Sequence, residues 1–349
     1  MEQKQLSKGK GEAMRKLKTV ILAAGMGTRM KSDKPKCLHE VLGYPMLYYV
    51  IQAARECGSD EICVVIGHKG ELVKEAFQNE KDLTFVVQAE QKGTGHAVMM
   101  ALDFIGEEES DVLILFGDTP LIRGSVLQKM RDAHTRQHNA VTVLSTVLED
   151  PTGYGRILRD DQNRFLGSVE HKDATPEQLQ CREVNSGMYC FRSEALRDSI
   201  GKINNNNKQG EYYLPDTLKI LLEEDKKAEA LMTRDTSVVK GVNNRMQLLE
   251  SQEILRHRIN RAHMENGITI LDQQSILISP EAEIGRDSKI YPGTIIEGKT
   301  IIGEGCVIGP NAHLVDAKLG NDVRVENAVI RGASIPDGTE VEPFRVIRA

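Results

Sequence analysis

The chain has 349 residues, 40% hydrophobic and 28% charged, with a formal net charge of -6. That length leads us to expect about two domains with a core of ordinary size. The acidic balance excludes a general binder of nucleic acid or of acidic membranes, and no apolar run approaches the ~18 residues a membrane helix needs.

Residues 1–17 are polar and basic, lack the apolar core of a signal peptide, and read as a disordered tail, with Met14 as an alternative start. The six cysteines, at 37, 57, 63, 181, 190 and 306, contain no CxxC pair. Without a secretion signal they read as free thiols in a reducing cytoplasm, and a zinc site is not expected.

The first structured stretch is Val20-Ile21-Leu22-Ala23-Ala24, a buried strand. It breaks into a loop with Gly25 and Gly27, then gathers Arg29, Lys31, Lys34, Pro35 and Lys36. Glycines let backbone N–H groups converge on an anion, and the cations supply charge for a phosphate chain. Strand, glycine loop and cations together have the layout of a nucleotide-phosphate site. The loop lacks the GK[ST] ending of a P-loop and the third glycine of a dinucleotide fingerprint, so on its own it also fits an ordinary tight turn.

Met46–Glu56 has helical spacing, Glu61–Gly67 reads as a second strand, Glu71–Phe77 as a helix and Leu83–Val87 as a third strand. The third strand leads into QAEQKGTGH, residues 88–96, with a helix expected from His96, which is read as an early helical residue and not a catalyst. Val112–Phe116 is a fourth strand, ending in Gly117-Asp118. Strands alternating with helices predict a mostly parallel α/β sheet, whose ligands sit beyond the carboxyl ends of the strands. Asp118 suits Mg²⁺, which favours one or two carboxylates plus phosphate oxygens. Preceding Thr-Pro, it equally suits a helix N-cap.

Val141–Thr146 is a further strand, followed by DPTGYGR at 150–156, VEHK at 169–172 and VNSG at 184–187. Glu170 and Asn185, at strand ends, offer a carboxylate and an amide suited to sugar hydroxyls and an acetamido group, or are ordinary turn residues. Asn204–Asn207 reads as a solvated loop, Ser237–Val242 as strand-like, and Arg245–Met264 as one long connecting helix. The chain then becomes periodic. Ile278, Ile284, Ile290, Ile296, Ile302, Ile308 and Leu314 recur every six residues, with small residues four places after each of the first six. That is the pattern of a hexapeptide β-helix. The register slips after Leu314 and resumes at Ile335, Val341 and Ile347.

LAAGMGTRM, KPKCLHEVLG, QAEQKGTGHA, FGD, DPTGYGRI, VEHKDA, VNSGMYCF, NNNNKQGEYYLPD and GVNNR together resemble the bacterial UDP-N-acetylglucosamine pyrophosphorylases over residues 18–349. In that family the activity usually belongs to a bifunctional protein whose second domain is a left-handed β-helix acting as a glucosamine-1-phosphate acetyltransferase. The resemblance implies a Rossmann-like nucleotidyltransferase domain with a mostly parallel sheet over 18–244, a linker helix over 245–266 and a short left-handed parallel β-helix over 267–349. It implies uridylyl transfer from UTP to N-acetylglucosamine-1-phosphate, giving UDP-N-acetylglucosamine for peptidoglycan and other envelope precursors. It also implies a cytoplasmic homotrimer joined through the β-helix.

By the same resemblance, Leu22, Ala23, Ala24, Gly25, Gln88, Gly93 and Thr94 bind the uridine nucleotide, and Phe116 and Gly117 contribute backbone. Arg29 and Lys36 hold phosphates. Gly155, Glu170 and Asn185 contact the N-acetylglucosamine, and Asp118 and Asn243 carry Mg²⁺. Arg29, Lys36 and Asp118 are the expected catalytic residues. Members of the family continue about a hundred residues beyond the point matching Pro343-Phe344, so acetyl transfer is expected to be absent here. The rival readings are a nucleotidylyltransferase of other specificity and a non-catalytic nucleotide-sugar-binding module.

Overall fold

The apolar run before the glycine loop forms β1 (Lys16–Leu22). A computed structural model describes residues 15–349 and continues with β2 (Glu40–Val41), β3 (Tyr44–Pro45), β4 (Glu61–Ile66), β5 (Leu83–Val87) and β6 (Ser110–Phe116). Then come β7 (Val141–Val147), β8 (Gly155–Arg159), β9 (Phe165–Val169), β10 (Glu183–Arg192) and β11 (Ala228–Met232). Most of the expected tail, with Met14, lies outside the described residues. Its last part is corrected: Lys16 and Leu17 belong to β1, where Leu17 is fully buried.

The sheet has the order β11-β7-β10-β6-β1-β4-β5, with β8 and β9 attached beside β10. Neighbours run parallel except for β10, which is antiparallel to β6, β7 and β8, and β8, which is antiparallel to β9. β1 is buried from Leu17 to Leu22, as expected of a central parallel strand covered on both faces. Its end is in register with Val65 on one side and Phe116 on the other, which aligns the carboxyl ends of three strands.

Two local expectations change. The helix after QAEQKG begins at Thr94, two residues before His96. Thr236–Val239 is a 3₁₀ helix, not a strand, because the Asp235 carboxylate accepts from the Ser237 N–H at 3.1 Å and from the Ser237 hydroxyl. Such a local side-chain turn competes with extended backbone.

The described chain divides into two compact units, one comprising 15–26, Val50–Gly117 and Ile122–Val239. The other comprises Gly27–Tyr49, Asp118–Leu121 and Lys240–Ala349. Two short segments that sequence reading assigned to the nucleotidyltransferase domain therefore group with the long helix Arg245–Glu265 and the β-helix. Their anchor is an apolar cluster of Val41, Leu42, Met46, Tyr49, Leu121, Val242 and Leu255, with Leu277 packed against it. Asn244 caps the long helix, its side chain accepting from the Gln247 N–H at 2.9 Å.

The left-handed β-helix consists of parallel sheets of five, five and four strands. Ile278, Ile296 and Leu314 stack in register at intervals of eighteen residues. The apparent slip after Leu314 is not a break. Leu319, Val325 and Ile330 take the inward positions, and coils shorten so that Leu314 pairs with Ile330 sixteen residues on. At one corner Gly298 has φ +64, and a Cβ there would lie 2.1 Å from Asp316 Oδ1 of the next coil, so only glycine fits. Among the described residues no helix is long and apolar enough to cross a membrane.

Burial separates two positions on successive solenoid strands. Ile308 is fully buried and Ile301 is 41% exposed. Ile308→Ala is expected to lower stability by about 2–5 kcal/mol. Ile301→Ala is expected to stay within roughly 1 kcal/mol. Urea unfolding of both variants checks the contrast, and equal losses would contradict the inward assignment.

Candidate functional site

In the first unit, the segments leaving β1, β4, β5 and β6 are stitched edge to edge. The Ala23 N–H donates to Val65 O at 2.8 Å, the Gln88 N–H to Ile66 O at 2.8 Å, and the Gly117 N–H to Leu22 O at 3.0 Å. Leu22 and Ala24 are buried at this edge, and Gly25 is exposed. A Cβ on Gly67 would lie 2.5 Å from Ala24 O, so the loop after β4 passes close beneath the glycine loop. This edge brings Leu22, Ala23, Ala24, Gln88 and Gly117 together.

Gln88 is buried, and its Nε2 lies 3.1 Å from Gly93 O and 3.0 Å from His96 Nδ1. His96 therefore has an orienting partner that sequence reading did not find, eight residues back at the end of a strand. Gly93 has φ +104, and a Cβ there would lie 2.6 Å from Tyr212 O. The Tyr212 N–H donates to Lys92 O at 2.8 Å, and the Leu214 N–H to Thr94 Oγ1 at 3.1 Å. The asparagine-rich loop thus runs into a segment clamped against Gly93 and Thr94, and Asn207 itself donates to Glu211 O at 2.6 Å. Asn204, Asn205 and Asn206 are exposed, as expected of a solvated loop, and only Asn207 is partly buried.

Gly155 in β8, Asn185 in β10 and Glu170, the residue just after β9, meet. Gly155 pairs with Asn185 across β8 and β10, and the Gly155 Cβ position is 3.4 Å from Glu170 Oε1 and 3.5 Å from Asn185 Cβ. The Asn185 amide is already engaged, donating to Ser168 Oγ at 3.1 Å and Tyr189 OH at 2.7 Å and accepting from the Gly187 N–H at 2.8 Å. One Oδ1 lone pair is what that side chain has left for a ligand. Gly187, with φ +80, lies against the Phe116 ring, so β10 braces the end of β6.

Burial holds the Glu170 carboxyl above the ordinary carboxylate range, and Asp173, Asp216 and Glu211 add to the effect. Asp216 is raised as well, by burial and by Asp173.

The second unit gathers the charged residues. Lys36 Nζ donates to Asp118 Oδ2 and, at 2.8 Å, to Asn243 Oδ1. Arg29 Nη2 donates to the same Asn243 oxygen at 2.8 Å. Backbone fixes the partners: the Val242 N–H donates to Asp118 O at 2.9 Å, and the Asn243 N–H to Gln247 Oε1 at 2.7 Å. Gln247 is a positioning group that sequence reading missed, one turn into the long helix. Gly27 is required by close approach, since a Cβ there would lie 2.7 Å from Lys36 Cβ. Lys34 pairs instead with Glu40 at 2.6 Å.

The N-cap alternative for Asp118 fails, because the helix after it, Gly124–Arg136, has Arg123, five residues on, at its N-cap position. Asp118 and Asn243 converge on one ammonium, so a carboxylate oxygen and an amide oxygen both reach a single cation. Two hard oxygens of this kind fit a magnesium ion that takes its other ligands from phosphate and water. Among the described residues no group of three or more His, Cys, Asp and Glu could hold a metal. Cys37 is no nucleophile: burial, with Asp118 next, pushes its thiol up to about 12.

The raised Glu170 carboxyl has a signed consequence. The folded chain holds its proton to higher pH than the unfolded chain, so stability falls as pH rises from the ordinary carboxylate pKa through the raised one. Glu170→Gln is expected to remove that part of the loss, leaving the variant relatively more stable at pH 7 than at pH 4 when each is compared with the parent. Urea midpoints across that range check it, and parallel pH profiles would contradict it.

A family model described as nucleotidyl transferase matches residues 18–239, and a bacterial transferase hexapeptide model of six repeats matches residues 281–315. The chain is 47% identical over 335 residues to the bifunctional protein GlmU of Caldanaerobacter subterraneus subsp. tengcongensis, covering 96% of this chain and 72% of that protein. It is 48% identical to the GlmU protein of Thermoanaerobacter pseudethanolicus over the same shares. To that of Clostridium beijerinckii it is 47% identical over 94% of this chain and 72% of the relative. A nucleotidyltransferase domain that carries clustered cations and leads into a hexapeptide β-helix, at this identity over nearly its whole length, makes the chain a member of the GlmU family of nucleotidyltransferases.

Proposed function

We propose that the chain transfers uridylyl from UTP to N-acetylglucosamine-1-phosphate, releasing pyrophosphate and giving UDP-N-acetylglucosamine. The observation that carries this reading is the shared hold of Lys36 and Arg29 on Asn243, beside Asp118. A sugar-phosphate oxygen attacks the α-phosphorus of UTP, a new P–O bond forms, and the bond to the pyrophosphate oxygen breaks. The nucleophile is already an anion at neutral pH, so no general base is needed. The chief obstacle is bringing two polyanions together, which calls for positioning and charge rather than covalent catalysis.

In this reading Lys36 and Arg29 bind the phosphates and orient the triphosphate. Asp118 and Asn243 would hold Mg²⁺, which supplies charge neutralisation at the phosphate oxygens. The strand-end group Leu22, Ala23, Ala24, Gly25, Gln88, Gly93 and Thr94 takes the uridine nucleotide, with Phe116 and Gly117 contributing backbone. Gly155, which lacks a side chain between Glu170 and Asn185, takes the sugar together with the oxygens of those two residues. The flat faces of the β-helix support association as a homotrimer.

Pyrophosphate release with each common nucleoside triphosphate against N-acetylglucosamine-1-phosphate, glucose-1-phosphate and mannose-1-phosphate tests the specificity. UTP with N-acetylglucosamine-1-phosphate is expected to exceed every other pair, and any other leading pair would overturn the assignment. Lys36→Ala and Arg29→Ala are each expected to lower kcat/KM by about 10²–10³, by analogy with loss of a preorganised charge donor. Asp118→Ala is expected to abolish turnover at every Mg²⁺ concentration. A loss under about tenfold at Lys36 or Arg29 would contradict the phosphate role. Light scattering tests the trimer.

A further inference from the structure

The segment carrying Lys36 is tied to the β-helix by a polar contact that neither the phosphate chemistry nor the solenoid repeat requires. The chain after Lys36 makes the hairpin of β2 and β3 and enters the helix Met46–Glu56. From it Tyr44 OH donates to Glu281 Oε2 at 3.1 Å and Tyr48 OH donates to Glu281 Oε1 at 2.8 Å. The two rings lie 4.5 Å apart, so one carboxylate takes both hydroxyls of a packed pair. Glu281 sits in the turn between the solenoid strands Leu277–Ile278 and Glu283–Ile284, where its N–H donates to Ser279 Oγ at 3.2 Å and Lys299 Nζ approaches to 3.5 Å.

Beneath this contact lies the apolar cluster already described. Val41 and Leu42 enter it from the hairpin, Leu121 from just beyond Asp118, Val242 from just before Asn243, and Leu277 from the first coil. The three short segments bearing Lys36, Asp118 and Asn243 thus share one apolar root, and Glu281 is the polar group that orients its hairpin side. Apolar contact is non-directional, whereas a carboxylate accepting two hydroxyls specifies a register. Burial raises the Tyr44 hydroxyl to about 12 and the Tyr48 hydroxyl further, so both remain donors throughout the working pH range.

We propose that Glu281 is a positioning residue for nucleotidyl transfer, seating the Lys36 hairpin on the first β-helix coil through Tyr44 and Tyr48. This rests on the phosphate role assigned to Lys36. Displacing a phosphate-binding group by about 1 Å can cost up to roughly a hundredfold in rate.

The test uses the full chain. Glu281→Ala, and separately the Tyr44→Phe/Tyr48→Phe pair, are expected to lower kcat by about tenfold or more. KM for the sugar phosphate is expected to be unchanged. Glu281→Gln keeps an acceptor oxygen and is expected to recover to within about threefold of the parent, as for a neutral hydrogen bond in place of a charge-assisted one. In a Lys36→Ala background, Glu281→Ala is expected to cost nothing further, because its effect passes through Lys36. Parent-like kcat in both the Glu281→Ala and the double tyrosine variants would overturn the proposal, as would full additivity with Lys36→Ala. Amide hydrogen exchange supplies a readout independent of turnover: residues 36–49 are expected to exchange faster in Glu281→Ala while the coils beyond Ile302 do not. Unchanged exchange over 36–49 would also overturn the seat. A parent that turns over no sugar phosphate would overturn the functional reading alone, with the exchange experiment still deciding the seat.

Discussion

Two cations share one amide oxygen. Arg29 and Lys36 both donate to Asn243 Oδ1, and Lys36 also reaches Asp118. Like charges at this separation repel, so the arrangement persists because the backbone and an apolar root hold their carriers in place. The Asp118 carboxylate offsets part of the charge, and the remainder faces whatever anion arrives. Glycine at 27, the hydrogen bond from Val242 to Asp118 and the Gln247 side chain under Asn243 all serve this one convergence.

The strands supply a different kind of order. β1 and β6 are buried almost throughout, and their ends are aligned by register with each other and with β4. The chain changes compact unit between Met26 and Gly27, and again between Gly117 and Asp118, soon after each of these strands ends. Strand burial therefore specifies where Leu22 and Gly117 lie, and a separate apolar cluster specifies where Lys36 and Asp118 lie. The same sequence motifs thus draw on two sources of stability.

Much of this was legible because apolar runs and glycine breaks mark parallel strands directly, and the strand ends at Leu22, Val87 and Phe116 follow from them. The period of six was equally plain from Ile278 to Leu314. Beyond Leu314 it was hidden, since sides of five and six residues are mixed without a fixed order and Leu319 and Ile330 fall out of phase with any single repeat. The Thr236–Val239 turn was missed because Val238, Val239 and Val242 carry strand propensity, and the overriding Asp235 turn is a side-chain effect. That Asn185 spends most of its amide on Ser168, Tyr189 and Gly187 depends on partners from another strand and across a bulge, which no linear reading displays.

The solenoid corners extend this dependence across coils. Asn311, Asp316 and Asp322 adopt left-handed backbone, and each side-chain oxygen fills the space where the corner residue of the preceding coil would carry a Cβ. Those preceding residues are Gly293, Gly298 and Gly305. A corner's freedom to vary is thus set by the residue one coil later in the chain. Gly298 could accept a side chain without collision only after Asp316 had given up its carboxylate, and the left-handed backbone would still cost about 1–2 kcal/mol. The corners consequently behave as an ordered ledger of permissions: drift in this β-helix has to begin with the Asx member of a pair and only then reach its glycine.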